Sequence, residues 1–340
     1  MGIVAPMLDN VMKLGVGSLL FGFVGWVVAI AVLNGPGPVL ETLIGGLLVG
    51  VLYSLIALGV VLIFKASGIF NYAQGSMVLF AALSVARLSE SIPLWGAVLL
   101  SAAIMVSLAY AVEFLVLRRL VHQEQIILFM ATIGITYFLD GFGQMLWGSD
   151  IYQIDLGLPK QPILLLKDVF RGGLLIDPAD LIAAVVCGLL VIALALFFQY
   201  TRVGRALRAV ADDHQAAQSV GIPLNRIWLL VWAVGGLVAL VAGVIWGNKL
   251  GVQFSLSLIA LKALPVLILG GFTSIPGAIA GGLIIAAGEK LAEVVIGPIL
   301  VRTFDLAGGG FENWFAYVLA LLFLLIRPQG LFGEKIIERI

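Results

Sequence analysis

The sequence predicts an all-α membrane protein, a polytopic helical bundle of about ten crossings that includes two Gly/Pro-broken segments. Of its 340 residues 62% are hydrophobic and 11% are charged, whereas a soluble domain has about a quarter charged residues. Many apolar runs reach the roughly 20 residues that a helix needs to cross the hydrocarbon core. Lipid offers no partner to an open backbone, so these runs are expected to be helical. This composition excludes a soluble enzyme, a nucleic-acid binder and a disulfide scaffold.

Seven apolar runs are long and uninterrupted. The first could be a secretory signal, but it exceeds the 7–15 apolar residues of a typical signal. We therefore expect residues 1–38 to hold an additional N-terminal helix, residues 39–333 to form the main membrane domain, and residues 334–340 to form a tail. In chain order the runs are Leu14–Leu33, Val39–Phe64, Leu94–Leu117, Gln125–Trp147, Leu181–Phe198, Ile227–Trp246 and Trp314–Ile326.

Two further apolar regions are broken by small and polar residues. Lys65–Gly75 precedes the run Ser76–Leu88, and Gly270–Pro276 separates Leu258–Leu269 from Gly277–Ile296. Non-helical backbone at membrane depth is tolerated only where protein or water covers it, so such breaks often line transport paths. Two tight cytoplasmic turns are the alternative, and the topology alone does not choose between them. Counted as separate crossings, the pieces bring the total to ten.

The distribution of basic residues predicts the orientation. Four arginines lie within Thr201–Arg226, and Leu117–Gln125 and the C-terminal tail are also basic. Cytoplasmic loops carry the excess of Lys and Arg, so both termini are expected in the cytoplasm. The long connection at residues 148–178, which has no positive excess, then falls outside.

Glycine pairs at four-residue spacing within the apolar runs predict close helix packing. Small residues let two backbones approach in lipid, where the hydrophobic gain between helices is absent. The alternative is that glycine is simply common in membrane helices. The pairs are Gly46 with Gly50, Gly243 with Gly247, and Gly277 with Gly281.

Ionisable residues within the apolar runs are few, and each is expected to face the bundle or a cavity. We expect Glu113 to extend to the nearby cytoplasmic surface. Asp140 and Glu289 lie deeper, and an interhelical hydrogen bond and a transport role are both open for them. No P-loop and no His/Cys metal motif is present, so no cofactor or metal is expected on this chain. If the protein is a pump, the energy enters from a partner.

The basic segment Thr201–Arg226 is the best candidate for that entry point. Val203, Leu207 and Val210 recur at helical spacing, and Gly221 followed by Pro223 is a stop signal. A short amphipathic helix of this kind either lies in the lipid headgroups or docks against another protein.

Four elements in order resemble the permease subunit of branched-chain amino acid ABC importers, and the match runs from about Leu40 to Gly333. Each element alone is weak, but the four together are specific. They are Gly46–Ile63 followed by Asn-Tyr-Ala-Gln-Gly at Asn71–Gly75; Arg202–Asp213 with Ala216–Ile222; Val266–Gly282 with its Leu-Gly-Gly-x-x-Ser-Ile-Pro-Gly core; and Arg327–Gly333.

This resemblance implies a multi-pass permease of the bacterial inner membrane that is not itself an enzyme. It implies as partners a second permease subunit, two cytoplasmic ABC ATPases that use the ATP, and a periplasmic substrate-binding protein. It also favours ATPase docking by the segment at 201–226. The sequence departs from the family in its first 38 residues and in having Gln74 where His is frequent. The residues expected at the ATPase contact are Arg205, Arg208, Asp212, Ala217 and Gly221.

Under this interpretation the substrate path includes polar groups from both breaks, with two phenylalanines as apolar surface. An importer of the same type for urea or short amides fits the sequence equally well. A stand-alone secondary transporter is the alternative of another class. The path residues are Phe70, Asn71, Gln74, Phe272, Thr273 and Ser274.

Overall fold

A computed structural model describes residues 36–120, 123–158, 161–165, 174–212, 214–305 and 310–333. The predicted helix Leu14–Leu33 and the tail at 334–340 lie outside these ranges. The elements are α1 Pro36–Ser67, α2 Gln74–Ser89, α3 Leu94–Val112, α4 Gln125–Trp147, β1 Ile163–Leu165, β2 Leu174–Ile176, α5 Pro178–Tyr200, α6 Arg202–Asp212, α7 His214–Ser219, α8 Leu224–Leu250, α9 Ile259–Gly270, α10 Ile275–Phe304 and α11 Phe311–Ile326.

The predicted all-α membrane class is confirmed, because each predicted apolar run within the described ranges coincides with a helix. By length and composition, five of the described helices qualify as spans, namely α1, α4, α5, α8 and α3 with its extension to Leu120. The pair Phe254–Gly270 and Ile275–Phe304 qualifies jointly, with a bend of 114° at the second predicted break. Helix α2 has 16 residues, about 24 Å at 1.5 Å per residue, which is shorter than the roughly 30 Å hydrocarbon core. The count of ten crossings stays a prediction.

Helix α1 is the central element of the bundle. Leu55, Ile56, Leu58, Leu62 and Ile63 are fully buried within it. A helix that is apolar on all sides is buried on all sides, and α1 accordingly packs against α5, α8, α9 and α10. The core therefore surrounds the helix that leads into the first break.

The connection after α4 contains a feature that the sequence analysis did not predict. Strands β1 and β2 pair antiparallel, with Leu164 opposite Leu175. Tyr152 also forms an isolated antiparallel bridge with Val252 after α8. The hairpin's three-residue strands are too short to give an alternating pattern that stands out among apolar neighbours.

The expectation that Glu113 extends to the surface is wrong. A π-helical turn, Glu113–Leu117, extends α3, and the Glu113 side chain is fully buried. Because a π-helical turn hydrogen-bonds residues five apart, Glu113 and Arg118 share one side of the helix. The Arg118 Nε and Nη2 atoms donate to the two Glu113 carboxylate oxygens at 3.2 and 3.0 Å. The carboxylate is thus neutralised inside the bundle.

Candidate functional site

The fold brings the two predicted breaks together. The Lys65 ammonium at the end of α1 donates to the Thr273 carbonyl at 3.3 Å. The Phe272 ring centroid lies 5.7 Å from that of Phe64 and 6.1 Å from that of Phe70. Residues separated by about 200 positions in the chain therefore form one polar and aromatic junction at the ends of α1 and α9.

The first break ends deep inside the bundle, because Asn71 and Gln74 are buried and fold the chain into the start of α2. The Asn71 Oδ1 atom accepts from the Ala73 amide at 3.1 Å, and its Nδ2 donates to Gln74 Oε1 at 3.1 Å. Gln74 Nε2 in turn donates to the Gly235 carbonyl at 3.2 Å, near the midpoint of α8. The two amides therefore hold the break in shape and fix α2 against α8.

A cavity of about 120 Å³ opens beside these amides. We call it the central cavity. Its polar lining comes from the start of α2 and from α4, and its apolar lining comes mainly from α9 and from the 3₁₀ turn Phe254–Leu258 before it. The lining residues used below are Asn71, Gln74, Ser76, Thr136, Asp140, Leu261, Leu264 and Leu267.

The second break lines a different cavity, of about 350 Å³, which we call the coupling-side cavity. Thr273 and Ser274 line it together with Lys65, Phe198 and Arg208. Ser274 also caps α10, since its Oγ accepts from the Gly277 amide at 3.1 Å. The polar path candidates are thus divided, with Asn71 and Gln74 at the central cavity and Thr273 and Ser274 beside the segment after α5.

Helix α6 is fastened to the end of α5. Thr201 caps α6, as its Oγ1 accepts from the Gly204 amide at 3.1 Å. Arg208 Nη1 donates to the Phe198 carbonyl at 2.8 Å, and Arg205 Nη1 donates to the Tyr200 carbonyl at 3.3 Å. Cations at these last carbonyls complement the negative end of the helix dipole. A displacement of α6 therefore acts directly on α5.

The apolar side of α6 packs against this chain's own helices. Leu207 and Val210 are buried, and α6 contacts α1 and α5. The amphipathic pattern of the segment therefore does not require lipid headgroups to cover it. Asp212 is the last residue of α6, and its side chain lies outside the described residues.

Helix α7 ends in a tight turn that leaves an exposed corner. The Gly221 amide donates to the Gln218 carbonyl at 2.9 Å, and the Ile222 amide donates to the Ala217 carbonyl at 3.0 Å. This pair of bonds is a Schellman motif, which requires the left-handed φ of +86° at Gly221. Ala217 is buried beneath the turn, whereas Val220 is 76% exposed and Gly221 is also exposed.

Most of the predicted packing glycines lie where another backbone approaches. A Cβ at Gly46 would lie 2.8 Å from Ala287 Cα, and one at Gly50 would lie 2.8 Å from Leu283 Cα, so α1 and α10 are in close contact. A Cβ would also lie 2.6 Å from the Val78 carbonyl oxygen at Gly243, 2.1 Å from the Gly270 carbonyl oxygen at Gly277, and 2.5 Å from the Val266 carbonyl oxygen at Gly281. Gly247 differs, since it faces the side chains of Val252 and Ile154.

Two groups at the central cavity were not among the predicted site residues. Ser76 and Asp140 are both buried and line this cavity. Asp140 carried a signal, because an ionisable residue within a membrane helix is a functional candidate by default. Ser76 carried none, since its position beside α4 depends on how the first break folds.

Comparison with known proteins places residues 42–327 in the family described as the branched-chain amino acid transport system permease component. The high-affinity branched-chain amino acid transport system permease protein BraD of Pseudomonas aeruginosa is 30% identical, over 88% of this chain and 98% of that protein. The corresponding LivH protein of Salmonella typhimurium is 28% identical, over 88% and 97%. The fructose import permease protein FruF of Bifidobacterium longum is 24% identical, over 82% and 75%.

Proposed function

The chain belongs to the family of branched-chain amino acid transport permeases, and we propose that it is the membrane subunit of an ATP-driven importer for branched-chain or other hydrophobic amino acids. The match to BraD over nearly the full length of both chains carries this proposal. A periplasmic binding protein delivers the substrate. ATP hydrolysis takes place in partner subunits. This chain does no covalent chemistry and forms the path of the substrate across the membrane.

The proposed topology has ten crossings with both termini in the cytoplasm. Residues 1–38 supply an extra helix, residues 39–333 the permease domain, and residues 334–340 a tail. The basic segment at 201–226 faces the cytoplasm and the connection at 148–178 faces the periplasm, in a bacterial inner membrane. One observation supports this topology: the chain bends by 114° between Phe254–Gly270 and Ile275–Phe304, at the second predicted break, where the topology has two successive crossings.

The proposed transport cycle is alternating access powered by two ABC ATPases, with a second permease completing the membrane unit. The exposed corner at Val220 and Gly221 is the proposed ATPase contact, and the arginine–carbonyl bonds transmit its movement to α5. The coupling-side cavity then lies between the moving segment and the second break. Thr273, Ser274 and Phe272 thereby become candidates for the cytoplasmic end of the path.

Two other functions remain to be tested against this proposal. The same machine could carry urea or short amides, and the similarity to a fructose import permease supports a scaffold that accepts different cargo. Ligand binding by the partner binding protein separates these cargoes. A secondary transporter would instead move substrate without any ATPase.

The proposal is tested by purifying the tagged chain in mild detergent and identifying bound subunits by mass spectrometry. We expect a P-loop ATPase that is retained by wild type and lost when Val220 is replaced by aspartate. The matched control is Ile151→Asp, another exposed β-branched residue, which lies in the connection at 148–178 on the proposed periplasmic side, away from the corner. Recovery of the chain without an ATPase in repeated gentle extractions would contradict the importer assignment.

A further inference from the structure

We propose that the central cavity is a subsite for a zwitterionic aliphatic amino acid, with Asp140 receiving the ammonium group and the start of α2 receiving the carboxylate. This inference rests on the proposed import function and deepens it, because it assigns the substrate contacts to one place within the membrane. Three independent features of the cavity support it: a poorly satisfied acceptor, a helix N-terminus, and apolar side chains from a third helix.

The poorly satisfied acceptor is the Asp140 carboxylate on α4. Asp140 is 9% exposed and Ser76 is 1% exposed, and both line the cavity. The Ser76 hydroxyl interacts with the carboxylate in a poorly aligned contact, and Asp140 Oδ1 has no well-formed hydrogen bond within the described part of the chain. A buried acceptor without a partner is costly, so an ammonium group placed there would satisfy it.

The helix N-terminus is that of α2, which begins at Gln74 on the same cavity wall. Asn71 accepts from the amides of Ala73 and Gln74 at 3.1 and 3.4 Å, so these two donors are already used. The amide of Ser76, which lines the cavity, follows in the first turn, where a helix offers no acceptor of its own. Such a turn carries partial positive charge and favours a carboxylate.

The first turn of α2 is also closely covered from outside. A Cβ at Gly75 would lie 1.9 Å from the Ser257 carbonyl oxygen, so only glycine fits there. This contact holds the 3₁₀ turn Phe254–Leu258 against the start of α2 and closes that side of the cavity. The polar wall is therefore built into the fold and is not an open surface.

The apolar lining contributed by α9 suits an aliphatic side chain. Leu261, Leu264 and Leu267 follow one another at three-residue spacing on α9 and all line the cavity. With Ser76 and Asp140 from α2 and α4 and these leucines from α9, the cavity offers groups for each part of a branched-chain amino acid. A single water needs a cavity of only about 10–15 Å³. The central cavity, at about 120 Å³, therefore accommodates far more than one solvent molecule.

The first test measures leucine uptake by the importer reconstituted with its ATPase and binding protein. Asp140→Asn is expected to lower uptake at least tenfold, and Ser76→Ala severalfold. The matched control is Ser101→Ala, because Ser101 is also fully buried with an unpartnered hydroxyl but lies on α3 away from the cavity. Its uptake should stay within twofold of wild type. Normal uptake in both cavity variants would overturn the inference.

A second test does not require the Asp140 variant to fold. Ser76→Cys is made in a Cys187→Ala background, which removes the natural cysteine, and the assembled importer is treated with a cationic methanethiosulfonate. Saturating leucine under turnover is expected to slow labelling at Ser76→Cys at least fivefold and to leave labelling at Thr42→Cys, in a different pocket near the start of α1, unchanged. Labelling that is absent or insensitive to leucine would overturn the inference. Wild-type complex that imports no leucine would instead contradict the proposed function.

Discussion

Gly45 and Gly46 are neighbours on α1, and they allow a direct test of how closely this helix packs against α10. A Cβ at Gly46 would lie 2.8 Å from Ala287 Cα and 3.1 Å from the Ala286 carbonyl oxygen, whereas one at Gly45 would meet nothing within 4 Å. Ordinary contacts begin at 3.4 Å. Because the neighbours of Gly46 are backbone atoms, Gly46→Ala must separate the helices by about 0.6 Å, the difference between 2.8 and 3.4 Å.

Overpacking of this kind costs about 1–3 kcal/mol. Alanine also restricts the unfolded chain and thereby contributes about 0.4–1 kcal/mol of stability. The net expectation is that Gly46→Ala lowers the free energy of unfolding by up to about 2.6 kcal/mol, the largest difference between these two ranges. Gly45→Ala has only the second effect and should be neutral or slightly stabilising.

The assay uses the chain's single cysteine, Cys187, which is buried. A thiol-reactive fluorophore labels it as the detergent-purified protein unfolds on heating. The two variants differ by the overpacking cost of about 1–3 kcal/mol, so the midpoint of Gly46→Ala should fall below that of Gly45→Ala by about 2–12 °C, at the usual 2–4 °C per kcal/mol. Equal midpoints, or a higher midpoint for Gly46→Ala, would refute the inferred contact between α1 and α10.

Three further changes test the basic segment at 201–226, which is the proposed ATPase contact, and the buried pair of Glu113 and Arg118. Gly204→Ala would place a Cβ 1.8 Å from the Phe198 carbonyl oxygen. It should therefore separate α6 from α5 and lower ATP-driven uptake at least tenfold. The control is Gly134→Ala, whose Cβ would meet no atom within 4 Å and which should import normally. Gly221→Ala should cost the turn after α7 about 1–2 kcal/mol because of its left-handed φ, seen as faster hydrogen exchange in α7; unchanged exchange would contradict the role assigned to this glycine. Glu113→Gln should lower the free energy of unfolding by about 1–2 kcal/mol, since a buried charged acceptor is lost, and an unchanged denaturation midpoint would show that the pair contributes nothing.

The helices could be predicted from the sequence because the hydrocarbon core demands a minimum apolar length. The run Val39–Phe64 predicts most of α1, Pro36–Ser67. The missed ends are Pro36–Pro38, where proline fits the first turn of a helix, and Lys65–Ser67, where polar residues continue it. The π-helical turn at Glu113 could not be predicted, because the apolar residues that follow Glu113 are equally compatible with a regular α-helix. The backbone bond from the Arg118 amide to the Glu113 carbonyl, five residues earlier, distinguishes the two.

The site was predicted in part. Asn71 and Gln74 stand out as amides between apolar runs, and they do lie at the central cavity. Their mutual hydrogen bond and the bond to Gly235 could not be predicted, because these depend on which helix packs beside the break. The position of Ser76 next to Asp140, 64 residues further along the chain, has the same origin: it is a contact between α2 and α4.

The contacts of the basic segment at 201–226 could also be predicted only in part. The arginines at 205 and 208 were expected at a partner's surface, and the amphipathic pattern supports an exposed helix equally well. In the structure both donate to carbonyls at the end of α5. The preference of basic side chains for the last carbonyls of a helix is a general signal for this arrangement, but it becomes specific only once the chain reverses at Thr201.

Reconstituted transport tests the central claim most directly. The chain is placed in proteoliposomes with its co-purified ATPase and second permease, and uptake of labelled leucine is followed with binding protein outside and ATP inside. Uptake is predicted to require the ATPase, the binding protein and hydrolysable ATP together. Leucine accumulation by the chain alone, driven by an ion gradient without nucleotide, would contradict the importer and establish a secondary transporter.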